Sequence, residues 1–185
     1  MVARRKEDRL SCASLGAAHK HFPIPDCIYR RSLVSGKHLY DSETAIFSTV
    51  HLDEAQLLAD LSALIEKRLP PHAQLVCPMA LGGHVDHRLT RAAAETLGLS
   101  LWYYADYPYV LRSAGDIASL LPPGWERQVF ALSEADLQAW VRSVAAHQSQ
   151  ISTFWSDLST MEAAIRGYHH DSGGVRLWRQ PNRGD

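Results

Sequence analysis

Gln74-Leu75-Val76-Cys77, then Gly82-Gly83-His84-Val85-Asp86-His87, then Leu101-Trp102-Tyr103-Tyr104: this stretch decides the fold. A short apolar run gives way to a glycine pair, a helical segment from Asp86 to Leu97 closes at Gly98, and a second apolar run follows. Gly98 falls where a helix end wants a left-handed residue. Just upstream, Asp53 to Leu69 carries Leu57, Leu58, Leu61, Leu64, Ile65 and Leu69 at three- and four-residue spacing. That spacing predicts one buried helix face, with Asp53 as cap and Pro70-Pro71 as stop. Helix, strand, glycine loop, helix, strand is the order of parallel βαβ units with helices on both sheet faces. The predicted fold class is α/β, a Rossmann-like three-layer αβα arrangement around a mostly parallel sheet.

Downstream, Gln128 to Leu132 reads as a strand, and Ser133 with Asp136 as a capping box. A long helix is predicted next, with Leu137, Trp140, Val141, Val144 and Ile151 on one stripe, then a last helix carrying Met161, Ala164 and Ile165. Trp102, Trp140 and Trp155 read as packing residues, and residues 171–185, with Gly173-Gly174, as an irregular tail. Upstream, Arg4 to Leu15 reads as a helix stopped at Gly16, and Ala17 to Ile24 as a strand. An α/β sheet ordinarily begins on a strand, and this chain begins on a helix. The expectation is one domain over 1–185 that lacks its first strand, an amino-terminal truncation leaving an exposed sheet edge.

The bulk properties exclude several classes. The 185 residues suffice for one domain with a core. At 46% hydrophobic and 21% charged, with a net charge of -1, the chain has no basic stripe for nucleic acid. Cys12, Cys27 and Cys77 form no C-x-x-C pair, which argues against a cysteine zinc knuckle or a disulfide framework. No run reaches the ~18–20 apolar residues of a membrane span, and no apolar segment follows the amino-terminal charges as in a secretory signal. A cytoplasmic protein with reduced thiols is expected.

Ligands of open parallel sheets bind beyond the carboxyl ends of the strands, which is where the glycine pair places His84 and His87. Residues three apart at a helix start can face one direction, so both imidazoles can reach a common ion. Neutral imidazole is a good zinc ligand, and catalytic sites use three protein ligands plus water. Asp86, between them, can orient one ring. The same spacing also occurs in capping arrangements, with Asp86 as a plain N-cap. The residues alone therefore give a metal or polar-substrate site of unspecified chemistry. Asp106, Tyr107 and Tyr109 follow the next strand and reach the same edge. They can line a sugar pocket, or the two tyrosines can fill the core rim beside Pro108.

Gly82-Gly83-His84-Val85-Asp86-His87-Arg88-Leu89, with Leu101 to Tyr109, resembles the PIG-L (LmbE-like) deacetylase family. Arg5, Glu7-Asp8, Leu15-Gly16-Ala17, Ile24-Pro25-Asp26, Ile28-Tyr29-Arg30 and His147-Gln148-Ser149-Gln150 extend the resemblance over nearly the whole chain. It implies a zinc-dependent hydrolase that removes N-acetyl groups from amino sugars or their conjugates. His87 would be a metal ligand. His84, protonated, would stabilise the oxyanion, and Asp86 would hold His84 in that state. Arg30, at the end of a family-like turn, would meet an anionic or hydroxyl-rich substrate, joining Asp106 and Tyr107.

The family's His-Pro-Asp-Asp motif, which supplies two further ligands and the general base, does not occur in the sequence. His51-Leu52-Asp53-Glu54 imitates it poorly, in the wrong place, with Asp53 needed as a helix cap. His19 and His21 read as edge residues of a strand, and His169-His170 as exposed. The expectation is a fragment that binds zinc weakly and has little or no activity. The alternative is a non-catalytic relative that binds a glycoconjugate or partner without metal.

Overall fold

A computed structural model describes residues 2–112, 117 and 121–181. Its helices are α1 (Val2–Ser14), α2 (Glu43–Ile46), α3 (Ala55–Glu66), α4 (Val85–Glu95), α5 (Glu134–Ala145), α6 (Gln148–Phe154) and α7 (Leu158–Ser172). Its strands are β1 (Leu75–Pro78), β2 (Leu101–Tyr104), β3 (Glu126–Phe130) and β4 (Val175–Arg179), in the order β1-β2-β4-β3. None of the described helices is long and apolar enough to cross a membrane.

The chain divides into two compact units, residues 1–22 with 129–176 and residues 23–128 with 177–185. The first is built on helices. Ser133 and Asp136 form the expected capping box at the start of α5, and α1 packs on α5 with Ser11 Oγ 2.7 Å from Ser143 Oγ in the buried contact. The single long helix expected here is broken: α5 ends at Ala145, and Ile151 belongs to α6.

The second unit holds the βαβ stretch. Cys77 pairs with Tyr103 in the parallel β1–β2 register. Val85, Leu89 and Ala93, four apart, are buried on one face of α4, which packs on β1 and α3. Burial at that spacing is what removes apolar area from water, at roughly 25 cal/mol per Å².

Several expectations are corrected. The sheet is mixed rather than mostly parallel, because β4 runs antiparallel to β2, Tyr103 opposite Trp178. The supposed irregular tail therefore contains an interior strand with a buried Trp178. Gly173 does end α7 in a left-handed conformation, but Gly174 lets the backbone pass Phe130, whose oxygen would lie 2.2 Å from any Cβ there. Residues 17–24 form no strand. Asp53 is not the cap of α3: that position is Glu54, without a side-chain cap bond, and His51 Nδ1 accepts the Asp53 N–H at 3.1 Å to open a 3-10 turn over Leu52–Glu54.

Candidate functional site

All the residues of the site lie in the second unit. Because β1 and β2 are parallel, their following loops leave from one sheet edge. Met79 N–H still bonds Tyr104 O at 2.9 Å, after which Ala80 takes a left-handed φ of 61°. That conformation is uncommon for a residue with a Cβ. It is held by Leu81 N–H donating to Asp106 Oδ2 at 3.0 Å and Gly83 N–H donating to Ala80 O at 3.0 Å. The two glycines serve different ends. Gly83 has φ 73°, whereas Gly82 leaves room for the Tyr109 ring, whose atoms would come within 2.5–2.6 Å of a Cβ.

His84 is the N-cap of α4. Its Nδ1 accepts the Asp86 N–H at 3.2 Å, so Asp86 itself is not the cap. A ring that accepts at Nδ1 carries its neutral-state proton on Nε2. Burial holds the His84 pKa below its ordinary value; His87 and Arg30 push the same way, and Asp86 and Asp26 oppose them without prevailing. Burial thus works against the protonated His84 that the family resemblance implies, and favours a neutral Nε2–H donor.

His87 Nδ1 lies 2.6 Å from Asp106 Oδ1. Asp106 is 1% exposed and both its oxygens are engaged, with His87 and with Leu81 N–H. A buried carboxylate facing Nδ1 fixes the proton there and leaves the Nε2 lone pair for a ligand. Asp106, expected from the sequence to meet substrate, is buried here with both oxygens engaged and holds His87 in place. The rings of His84 and His87 are 5.4 Å apart, with Tyr109 edge-on at 5.5 Å from His87 and Phe47 edge-on at 5.6 Å from His84. Tyr107 is half-buried, ahead of Pro108.

Arg30 also lies elsewhere than expected. It is 5% exposed and placed between two carboxylates, with Nε 2.7 Å from Glu54 Oε1 and Nη2 2.6 Å from Asp86 Oδ1. It cannot reach out to a substrate without breaking both ion pairs. Glu54, 2% exposed, also accepts from Tyr40 Oη, whose hydroxyl in turn accepts the His51 N–H at 2.9 Å. Glu54, Tyr40 and Phe47 were not singled out as site residues from the sequence. Glu54 is only a helix-start acid in the sequence, and no local signal marks a carboxylate for burial. His21 bonds Asp8 at 2.5 Å away from any strand; His170 is exposed and His169 half-buried.

The residues can be tested for a metal ion. Cys27 Sγ, a His84 nitrogen and an Asp86 oxygen lie within 4.8 Å of one another. This trio is poorly suited to a resident cation. Asp86 Oδ1 is already engaged by Arg30, His84 Nδ1 is occupied, and burial pushes the Cys27 thiol up to about 12. His87 has the held, outward imidazole that zinc favours, yet the one close group of three candidate ligands among the described residues does not include it. The described residues fit zinc at one position and do not complete a three-ligand set.

The sequence matches no protein-family model and no curated protein. Solved structures do share its fold. The zinc-inhibited form of a teicoplanin deacetylase superposes with TM-score 0.74 at 21% identity, covering 99% of this chain and 76% of that one. A deacetylase–teicoplanin complex gives 0.69 at 21%, covering 100% and 75%. A deacetylase of the A40926 pseudoaglycone gives 0.63 at 22%, covering 97% and 69%. Identities in this range speak to a common fold.

Proposed function

We propose that this chain is a hydrolase of N-acetylated amino sugars or glycoconjugates, acting on the amide at the edge formed by His84 and His87. The observation that carries the reading is the His87–Asp106 pair. A buried carboxylate fixes one nitrogen of an imidazole and leaves the other available beside a second histidine. The deacetylases that share the fold give the reading its substrate class. His84 donates its neutral Nε2–H toward the oxygen that gains charge as the amide carbonyl is attacked, the usual role of a preorganised donor; a neutral imidazole serves as such an electrophile. His87 would contribute one ligand to a zinc ion, which would supply Lewis-acid polarisation of that carbonyl, although the described residues complete no ligand set for it. Tyr109, edge-on beside His87, would offer aromatic surface to the sugar.

A second reading, non-catalytic binding of a glycoconjugate, is favoured by one observation. Asp86 and Asp106, two carboxylates at the histidine pair, are both engaged, and the ligand set among the described residues is incomplete. The deciding experiment incubates the chain with N-acetylglucosamine conjugates over a range of zinc concentrations and measures released amine, with binding followed in parallel. Amine release lost in both His84→Ala and His87→Ala supports the hydrolase. Binding without release supports the second reading, and neither binding nor release removes both.

A further inference from the structure

Building on that proposed function, we infer that Tyr40 and Glu54 are positioning residues of the site, holding Arg30 so that Arg30 sets the Asp86 carboxylate beside His84. The links are continuous. His51 N–H donates to Tyr40 Oη, and Tyr40 Oη donates to Glu54 Oε2. Glu54 Oε1 faces Arg30 Nε, and Arg30 Nη2 faces Asp86 Oδ1. The Arg30 guanidinium also lies 5.4 Å over the Tyr40 ring, and Cys27 N–H gives Asp86 Oδ2 a long contact at 3.4 Å.

Charge and burial explain why the chain of contacts has a direction. Tyr40, Glu54 and Arg30 are almost wholly enclosed, whereas the Asp86 side chain is 31% exposed and opens on the site. A buried guanidinium needs carboxylate partners, and one planar fork can serve two of them. Glu54 is the enclosed partner and Asp86 the functional one. With Glu54 in place, Arg30 is neutralised from behind, and Asp86 keeps a net negative field toward His84. Without the Glu54 charge, Asp86 alone must neutralise Arg30, and its carboxylate is drawn toward the guanidinium. Tyr40 keeps its proton, since burial and the Glu54 contact push its pKa up to about 12, so it remains a donor that fixes Glu54. An ion pair kept for stability alone gains little over well-packed apolar residues; one that ends on a half-open aspartate at a histidine pair has a use beyond packing.

The test uses the whole chain with Glu54→Gln, which keeps shape and loses charge, and Tyr40→Phe, which loses one oxygen. Circular dichroism establishes that each is folded. If Glu54→Gln does not fold, Tyr40→Phe carries the test. NMR then follows the His84 ring and the Arg30 Nε resonance, and kinetics follow release of amine from an N-acetylglucosamine conjugate. The expected result is movement of both sets of resonances in both variants. In kinetics, kcat falls ~10-fold, the lower end for loss of an outer supporting partner, while KM stays within ~2-fold because no substrate contact is lost. Folded variants whose His84 resonances coincide with those of the wild type, or whose kcat is unchanged, overturn the inference. A wild-type chain that releases no amine while the His84 resonances still move removes the hydrolase reading and leaves the positioning of Asp86 standing.

Discussion

Gly82→Ala isolates the close approach on which the site loop depends. The new methyl would stand 2.5, 2.6 and 2.6 Å from Tyr109 Cγ, Cβ and Cδ1. Carbon atoms rest at ~3.5–4.0 Å, so the two groups must part by ~1 Å. Turning the tyrosine about χ1 moves Cγ and Cδ1 but leaves Cβ in place, so the backbone of the Tyr109–Arg112 turn has to shift. Overpacking of this kind costs ~1–3 kcal/mol. The more restricted unfolded chain of alanine returns ~0.4–1 kcal/mol, leaving a net loss of ~0.5–2 kcal/mol. Gly167→Ala is the matched control: it lies within α7, has ordinary backbone, and its Cβ would meet nothing within 4 Å. It should gain ~0.5–1 kcal/mol. Denaturant midpoints with unchanged slopes measure both, and the His87 ring signals report whether Tyr109 has moved from its edge-on position. A Gly82→Ala midpoint at or above wild type, with His87 unmoved, would refute the steric reasoning.

Three further outcomes are expected. Asp106→Ala leaves the Leu81 N–H and His87 Nδ1–H without their acceptor and should cost ~1–3 kcal/mol by chemical denaturation; unchanged stability would mean the pair holds nothing. Burial pushes the Cys27 and Cys77 thiols up to about 12, so at pH 8 only about one part in ten thousand is thiolate. A thiol reagent should then titrate Cys12 first and reach the other two only on unfolding, and rapid labelling of Cys27 in the native protein would contradict this. The Arg166 guanidinium, with Gln138, lowers the Glu134 carboxyl from 4.5 to about 2. The unfolded chain binds more protons there, so the contribution of this exposed pair is complete above pH 4.5 and lost as pH falls toward about 2. Carbon NMR of Glu134 should show that low midpoint, rising with salt; a midpoint near 4.5 at low salt would count against the pair.

The stretch from Leu75 to Tyr104 was legible because its punctuation is local: apolar runs, two glycines, and Gly98 at a helix end. The capping box at Ser133 was legible for the same reason. The interior strand Val175–Arg179 was not. Val175, Leu177 and Trp178 are interrupted by Arg176 and Arg179, of which Arg179 takes its partners, Glu126 and the Trp102 ring, from distant sequence, and the preceding glycines look like the end of ordered chain. At the site, His84 and His87 could be picked out by spacing, but their roles could not. Burial lowers the His84 pKa, which spacing cannot show, and the contact of Asp106 with His87 depends on the parallel pairing of β1 and β2. Arg30 shows the limit most plainly. An arginine after a turn reads as a surface cation until Glu54 and Asp86 are folded around it.

The place of β4 also constrains how the protein is made. It pairs with β2 in the interior of the sheet, and it is synthesised after every element it pairs with. Translation delivers ~5–20 residues per second, so for several seconds a nascent chain displays β2 with one edge bare. Bare strand edges recruit other strands. The vulnerable period for self-association therefore falls between emergence of β2 and emergence of β4 from the ribosome. Slowing translation within α7 should lengthen that period and raise the aggregated fraction, without altering one residue of the product.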